Sequence, residues 1–157
     1  MPESPDYDLP TPYVVTLQVA PSEIDEYNHV NNTVYLVWLD RTAWVHSAAL
    51  GMPLSRCLEL DRGMAVVRSV ITYLRPAVLG DTIHVATWLL PGNGKLRVAR
   101  RFQVRRASDA ATLVRAEIEY ACIELSSGRP MRWPPAFHDC YVPLPPVTTA
   151  YSALVPL

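Results

Sequence analysis

Residues 21–32, PSEIDEYNHVNN, gather three acids, a histidine and three asparagines directly ahead of a long apolar run. Two accounts of that density stand side by side. In the first, Asn31 or Asn32 is a helix N-cap whose side-chain oxygen accepts a backbone N–H that has no intrahelical partner. Ser22-x-x-Asp25 is then a capping arrangement, and Glu26, His29 and the second asparagine are ordinary loop polarity. In the second, the unpaired N–H groups and aligned peptide dipoles of the helix start stabilise an anion or a polarised carbonyl oxygen. A carboxylate on the preceding loop, Asp25, could attack the carbonyl carbon or activate a water as general base. Those two parts are the minimal apparatus for hydrolysing an activated acyl group. Composition alone leaves both accounts open.

The elements that must position these residues follow from pattern. Residues 13–19 are β-branched and apolar and predict a first strand, which Pro21 ends. From Asn32 to Leu50 there is no Gly or Pro, and Val34, Val37, Trp38, Trp44, Val45 and Ala48 follow helical spacing. Tyr35, Leu36 and Leu39 fall on the other side, so the helix is apolar nearly all round and is expected to be enclosed. Gly51 and Pro53 stop it in the usual order.

Four more strands are expected, at about 64–74, 82–90, 96–106 and 112–125, with Pro91-Gly-Asn-Gly94 marking a hairpin connection. In the last strand Val114, Ala116, Ile118, Tyr120 and Cys122 alternate with Arg115, Glu117 and Glu119, giving one core face and one wet face. Residues 1–12 read as a loose arm, and about 126–157, rich in proline, as an irregular tail with one short helical turn near Trp133 to His138. The sum is a single α+β domain in which one antiparallel sheet of about five strands wraps a long central helix.

Several function classes are disfavoured. A net charge of −1 over 157 residues offers no overall attraction to nucleic acid or anionic membrane. The N-terminus lacks a basic region followed by an apolar one, so a cytoplasmic location is expected, and Cys57, Cys122 and Cys140 form no C-x-x-C pair. No serine stands in a G-x-S-x-G elbow and no cysteine in a nucleophile signature. Asp25, His29, Asp40 and His46 match no recognised ligand spacing, so no metal is expected, and His46 reads as a packed core histidine. Arg97, Arg100, Arg101, Arg105 and Arg106 form the one basic cluster. Arg97, Arg101 and Arg105 share a strand face and can pair with Glu117 and Glu119. As a functional patch the cluster could instead grip the phosphates of coenzyme A, with Lys95 and Arg97 beside the hairpin as the candidate contacts.

The stretch SEIDEYNHVNNTVYLVWLD, followed by YLRPAVLGDTIHVATWL, resembles the hotdog-fold acyl-CoA thioesterases of the hydroxybenzoyl-CoA thioesterase type, in which a D-x-x-G-H-V-N-N-x-x-Y pattern enters the central helix. Asp25, His29, Val30, Asn31, Asn32 and Tyr35 fall in register, with Arg75-Pro76 and Gly80-Asp81 downstream, and the likeness covers roughly residues 12–140. The resemblance implies an acyl-CoA thioesterase releasing free acid and CoA, with no cofactor beyond the CoA of its substrate. It makes Asp25 the nucleophile or base and the Asn32 backbone N–H the carbonyl donor, with His29 and Asn31 positioning the loop and Tyr35 near substrate. It also implies a homodimer, or a tetramer of dimers, with two sheets joined and two helices side by side. Asn28 replaces the motif glycine, and asparagine is the residue that best tolerates a left-handed backbone there. The alternatives are a hotdog enoyl-CoA hydratase or dehydratase, whose D-x-N-P-x-H pattern is absent, and a non-catalytic acyl-binding protein.

Overall fold

The computed structural model describes residues 7–157. Strand β1 (Tyr13–Gln18) is followed by a short 3-10 turn at Pro21–Glu23 and helix α1 (Asn32–Ala49). Helix α2 (Leu54–Leu60) and strands β2 (Arg62–Tyr73), β3 (Thr82–Leu89), β4 (Arg97–Arg106) and β5 (Thr112–Glu124) come next. Two short helices, α3 (Pro135–Cys140) and α4 (Pro145–Tyr151), complete the chain. The strands form one antiparallel sheet in the order β1-β3-β4-β5-β2, with β1 and β2 as its edges. This is the expected α+β hotdog arrangement, and every strand lies within two residues of its predicted bounds.

Alternation sorts the sheet into two faces. Val98, Phe102 and Val104 on β4, with Ala116, Ile118, Tyr120 and Cys122 on β5, join the main core with α1. The opposite face carries Arg101, Gln103 and Arg105 with Glu117 and Glu119. The expected cross-strand pairs are present there: Arg101 to Glu117 at 2.9 Å and Arg97 to Glu119 at 3.7 Å. Arg105 donates to the Ala110 carbonyl.

Helix α1 departs from expectation. Its core face is Tyr35, Trp38, Leu39, Thr42, Ala43 and Ser47. Of the residues picked out by the sequence spacing, Trp38 is buried and Val34 partly so, but Val37, Trp44, Val45 and Ala48 are exposed, Val37 to 63%. Both faces are apolar, so periodicity could not choose between them. Within one chain the helix is therefore covered on one side only. Its end matches the sequence: Gly51 takes φ +93°, and the Gly51 and Met52 N–H groups close onto the Ala48 and Ser47 carbonyls. No helix among the described residues is long and apolar enough to cross a membrane.

Two further corrections concern the ends of the chain. Residues 1–6 of the expected arm lie outside the described residues, but residues 7–12 are tied down. Leu9 is buried with Trp88 and Val147 on the outer face, and the Trp88 indole N–H donates to the Pro10 carbonyl at 2.8 Å. Asp8 accepts from Arg115 Nε at 2.7 Å and Nη2 at 2.9 Å, and from Arg101 Nη2 at 3.2 Å. The C-terminal segment is more ordered than its prolines suggested. Phe137 of α3 enters the main core and Val147 of α4 covers Trp88, because Pro135 and Pro145 start helices where a missing N–H costs nothing.

Burial raises the Asp8 pKa, but hydrogen bonds and charges from Arg115 and Arg101 outweigh it and hold the carboxyl below its usual value. A depressed native pKa stabilises the fold above the unfolded value of about 4 and loses that contribution as pH falls through the native pKa. Asp8→Ala is expected to cost about 2 kcal/mol in urea unfolding at pH 7, with the gap to wild type closing as pH drops below about 4.

Candidate active site

The polar stretch folds as a closed loop held from both ends. Ile24 and Val30 form an antiparallel bridge, the Asp25 N–H donates to the His29 carbonyl at 2.8 Å, and the Asn28 N–H donates to the Asp25 carbonyl at 3.0 Å. That pattern needs a left-handed residue after the turn, and Asn28 supplies it at φ +59°. The side chain of Asp25 is fixed within the same turn, its Oδ1 accepting the Tyr27 N–H at 2.9 Å. Asp25 is half-buried beside an open depression lined also by Ile24, Glu26, Tyr27 and Asn31.

Asn31 caps α1: its Oδ1 accepts from the Thr33 N–H at 2.9 Å and from the Thr33 hydroxyl at 2.7 Å. Its own N–H donates to the Glu23 carbonyl at 2.9 Å, and the Val34 N–H donates to the Asn31 carbonyl at 2.9 Å. The Asn32 N–H alone in this turn makes no hydrogen bond among the described residues. An unengaged donor at the positive end of an 18-residue helix can polarise a carbonyl oxygen. The cap belongs to Asn31 and the free donor to Asn32. Ser22 takes no part, since the preceding 3-10 turn is closed by Glu23, whose Oε2 accepts the Ala20 N–H at 2.8 Å.

The platform beneath the loop is the β2–β3 connection. The Val30 N–H donates to the Ala77 carbonyl at 2.9 Å, and the Tyr35 hydroxyl accepts the Ala77 N–H at 2.9 Å. Asp81 accepts from the Val78 N–H at 3.0 Å and from Arg106 Nε at 3.0 Å, while Arg106 Nη2 reaches the Pro76 carbonyl at 2.7 Å. Glu23 Oε1 also accepts the Trp38 indole N–H at 3.0 Å. Glu23 and Arg106 are positioning groups that sequence reasoning did not single out. The signal for Arg106 was its place beside Asp81 in the β3–β4 register, where Ile83 pairs with Arg106.

The other expected site residues divide. His29 is exposed on the loop beside Asp25, and only its backbone takes part in the turn. Tyr35, expected near substrate, is 3% exposed, packed edge-on against Trp38 and Tyr73, with burial pushing its pKa up. It is a core anchor for Ala77 instead. Lys95 and Arg97 are exposed but do not meet Asp25 in one chain. The loop of Asp25 sits at the Arg106 end of β4, and Arg97 is at the other, about 30 Å away at 3.3 Å per residue.

If Asn28 is held left-handed as described, Asn28→Gly should leave stability within about 0.5 kcal/mol, while Asn28→Val should cost about 1–2 kcal/mol. Chemical denaturation of the two variants checks this, and equal costs would contradict the turn geometry.

Comparison with known proteins identifies the family and the fold. Residues 19–139 match the model of a family described as the thioesterase-like superfamily. The long-chain acyl-CoA thioesterase FadM of Escherichia coli is 28% identical over 115 residues, covering 71% of this chain and 83% of that protein. A 1,4-dihydroxy-2-naphthoyl-CoA thioesterase from Synechocystis superposes with a TM-score of 0.75 at 18% identity, covering 83% of this chain and 96% of that one. A Staphylococcus aureus protein solved in complex with CoA superposes with a TM-score of 0.75 at 20% identity, over 82% of this chain and 80% of its own. With the family match spanning most of the sheet, the whole of α1 and the Asp25 loop, the chain belongs to the thioesterase-like superfamily.

Proposed function

We propose that the protein hydrolyses an acyl-CoA thioester to the free carboxylic acid and CoA. The observation that carries this is the unengaged Asn32 N–H at the start of α1, on the same short loop as the fixed carboxylate of Asp25. The N–H receives the thioester oxygen, and the negative charge that gathers there on attack is stabilised by the helix terminus. Asp25 either takes a proton from a water that adds to the carbonyl carbon, or adds to that carbon itself to form a mixed anhydride that water then cleaves to the free acid and the Asp25 carboxylate. In both, the C–S bond breaks, and the CoA thiolate leaves and takes up a proton. His29 and Asn31 hold the loop, His29 through its backbone carbonyl and Asn31 through its cap.

A homodimer, alone or paired into a tetramer, is the assembly we favour. Leu36, Val37, Trp44 and Val45 on α1 are exposed, as are Val66 and Val67 on the neighbouring edge strand β2. A 12-residue edge strand beside an uncovered apolar helix face is a surface that a second copy can close. Lys95 and Arg97 keep a role toward CoA only in such a dimer, where each could serve the partner's site. A cytoplasmic location is supported by three unpaired thiols at Cys57, Cys122 and Cys140.

Thiol release from a panel of acyl-CoAs tests the activity. Asp25→Asn keeps the oxygen that accepts the Tyr27 N–H, so the fold should stand while turnover falls by about a thousandfold. No release from any acyl-CoA, or full activity in the variant, would sink the proposal. Light scattering tests the assembly: Val37→Glu is expected to shift the dimer toward monomer and lower activity with it.

A further inference from the structure

Position 100 breaks the alternation of β4. Val98, Phe102 and Val104 point from the strand into the core beneath α1, and Arg100 stands among them, 2% exposed. Its Nη1 lies 2.7 Å from His46 Nδ1 and its Nη2 donates to the Ser47 hydroxyl at 2.9 Å. An arginine can only donate, so Nδ1 of His46 is the acceptor and the ring is neutral. Desolvation, then the Arg100 charge, push the His46 pKa down to about 4, which keeps it so at neutral pH. Among the described residues no carboxylate pairs with Arg100. A guanidinium keeps its proton even when buried, so an uncompensated cation sits inside the molecule.

That cation borders a cavity of about 80 Å³ between the second half of α1, the sheet and α2. Tyr120 lines it too, one register step from Arg100, since Val98 pairs with Tyr120 and Arg100 with Ile118. The Tyr120 hydroxyl is buried with no hydrogen-bond partner, and burial drives its pKa up to about 12, so it remains a donor. Ser47 and Tyr141 add two further hydroxyls, and the Cys57 thiol is pushed up by burial and stays neutral. Asp40, exposed, is the one acidic residue of the lining.

The cavity adjoins a surface groove that starts at Thr33, next to the Asn32 N–H. The groove is walled by Leu36, Val37 and Ile118, and it shares Asp40, Val66 and Tyr120 with the cavity. From Asn32 to Ser47 the helix rises about 22 Å at 1.5 Å per residue. A chain whose carbonyl lies at the helix N-terminus would thus pass apolar walls and end at Arg100 and Tyr120.

We infer that the preferred acyl group carries a carboxylate at its distal end, which accepts hydrogen bonds from Arg100 and Tyr120. This rests on the acyl-CoA hydrolase reading of the Asp25 site. A carboxylate supplies the missing counter-charge for Arg100 and the missing acceptor for Tyr120 together, whereas a methyl terminus leaves the guanidinium with neutral partners only and the Tyr120 hydroxyl unmet. Asp40, exposed in the same lining and acting electrostatically on Tyr120, opposes an anion there, so the attraction comes chiefly from Arg100.

The test pairs acyl-CoAs of equal length that end in methyl or in carboxylate, over a range of lengths. The wild type is expected to favour the carboxylate partner by between about tenfold and a hundredfold in kcat/KM at the matching length. Arg100→Met should abolish that preference, and Tyr120→Phe, which only removes an unpaired hydroxyl, should reduce it several-fold. Equal or higher kcat/KM for the methyl series at every length overturns the inference, as does a preference that survives both substitutions. Should Arg100→Met not fold, Tyr120→Phe decides. Calorimetry of both series on Asp25→Asn separates the two readings: selective binding of the carboxylate series without wild-type turnover overturns hydrolysis and supports this inference, and turnover without selectivity does the reverse.

Discussion

The backbone of Ala77 ties the candidate site to the sheet. Fully buried, it accepts the Val30 N–H on one side and donates to the Tyr35 hydroxyl on the other. The first bond fixes the exit of the Asp25 loop and the second fixes the first turn of α1. Asp25 and the helix start are thereby referred to one rigid point rather than to each other. The connection that carries Ala77 is itself clamped, because Arg106 bridges the Pro76 carbonyl and Asp81 while Asp81 accepts the Val78 N–H. A buried backbone group must find a partner or cost free energy, so once Ala77 is enclosed the loop and the helix are fixed together.

Much of this was legible in the chain. The β5 alternation named its core residues correctly, and the run without Gly or Pro from Asn32 located α1 to within a residue of its end. Asn28 was readable as left-handed because it replaces the glycine of the motif the chain resembles, and asparagine tolerates that backbone; its φ is +59°. What failed to show shares a cause: partners distant in sequence. Asp8 reads as one acid in a proline-rich arm until Arg115, 107 residues away, is folded against it. Lys95 and Arg97 look close to a site in composition, yet the antiparallel register sends them to the other end of β4. The buried face of α1 was undecidable because a helix that is apolar on two sides carries two surfaces to cover, and only the packed sheet shows which one the chain covers itself.

The five arginines of 97–106 look alike in sequence and differ sharply in place. Arg101 lies on the outer face within reach of Glu117 and Asp8, so its burial is offset by two carboxylates. Arg106 likewise meets Asp81 and Asp109. Arg100 sits one residue from Arg101, turned by the pleat to the apolar face, and finds only neutral partners. Isolated charge inside a low-dielectric core costs several kcal/mol unless paired, and an apolar residue would fit the pattern of β4 without that cost.

Helix α1 can therefore be seen as three surfaces on one rod. Its N-terminus presents a single free N–H, its core side is spent on Trp38, Leu39 and Ala43, and its remaining side is an apolar wall open to solvent in the lone chain. Exposing Leu36, Val37, Trp44 and Val45 is unfavourable for a monomer, so the wall has meaning only when something lies on it. An acyl chain along the groove and a second subunit over it would satisfy that need together. The same constraint explains why the polar end of the path lies deep under α1: a charge near the solvent edge would discriminate little between ligands, since water competes with it there, whereas Arg100 and Tyr120 are held where water is scarce.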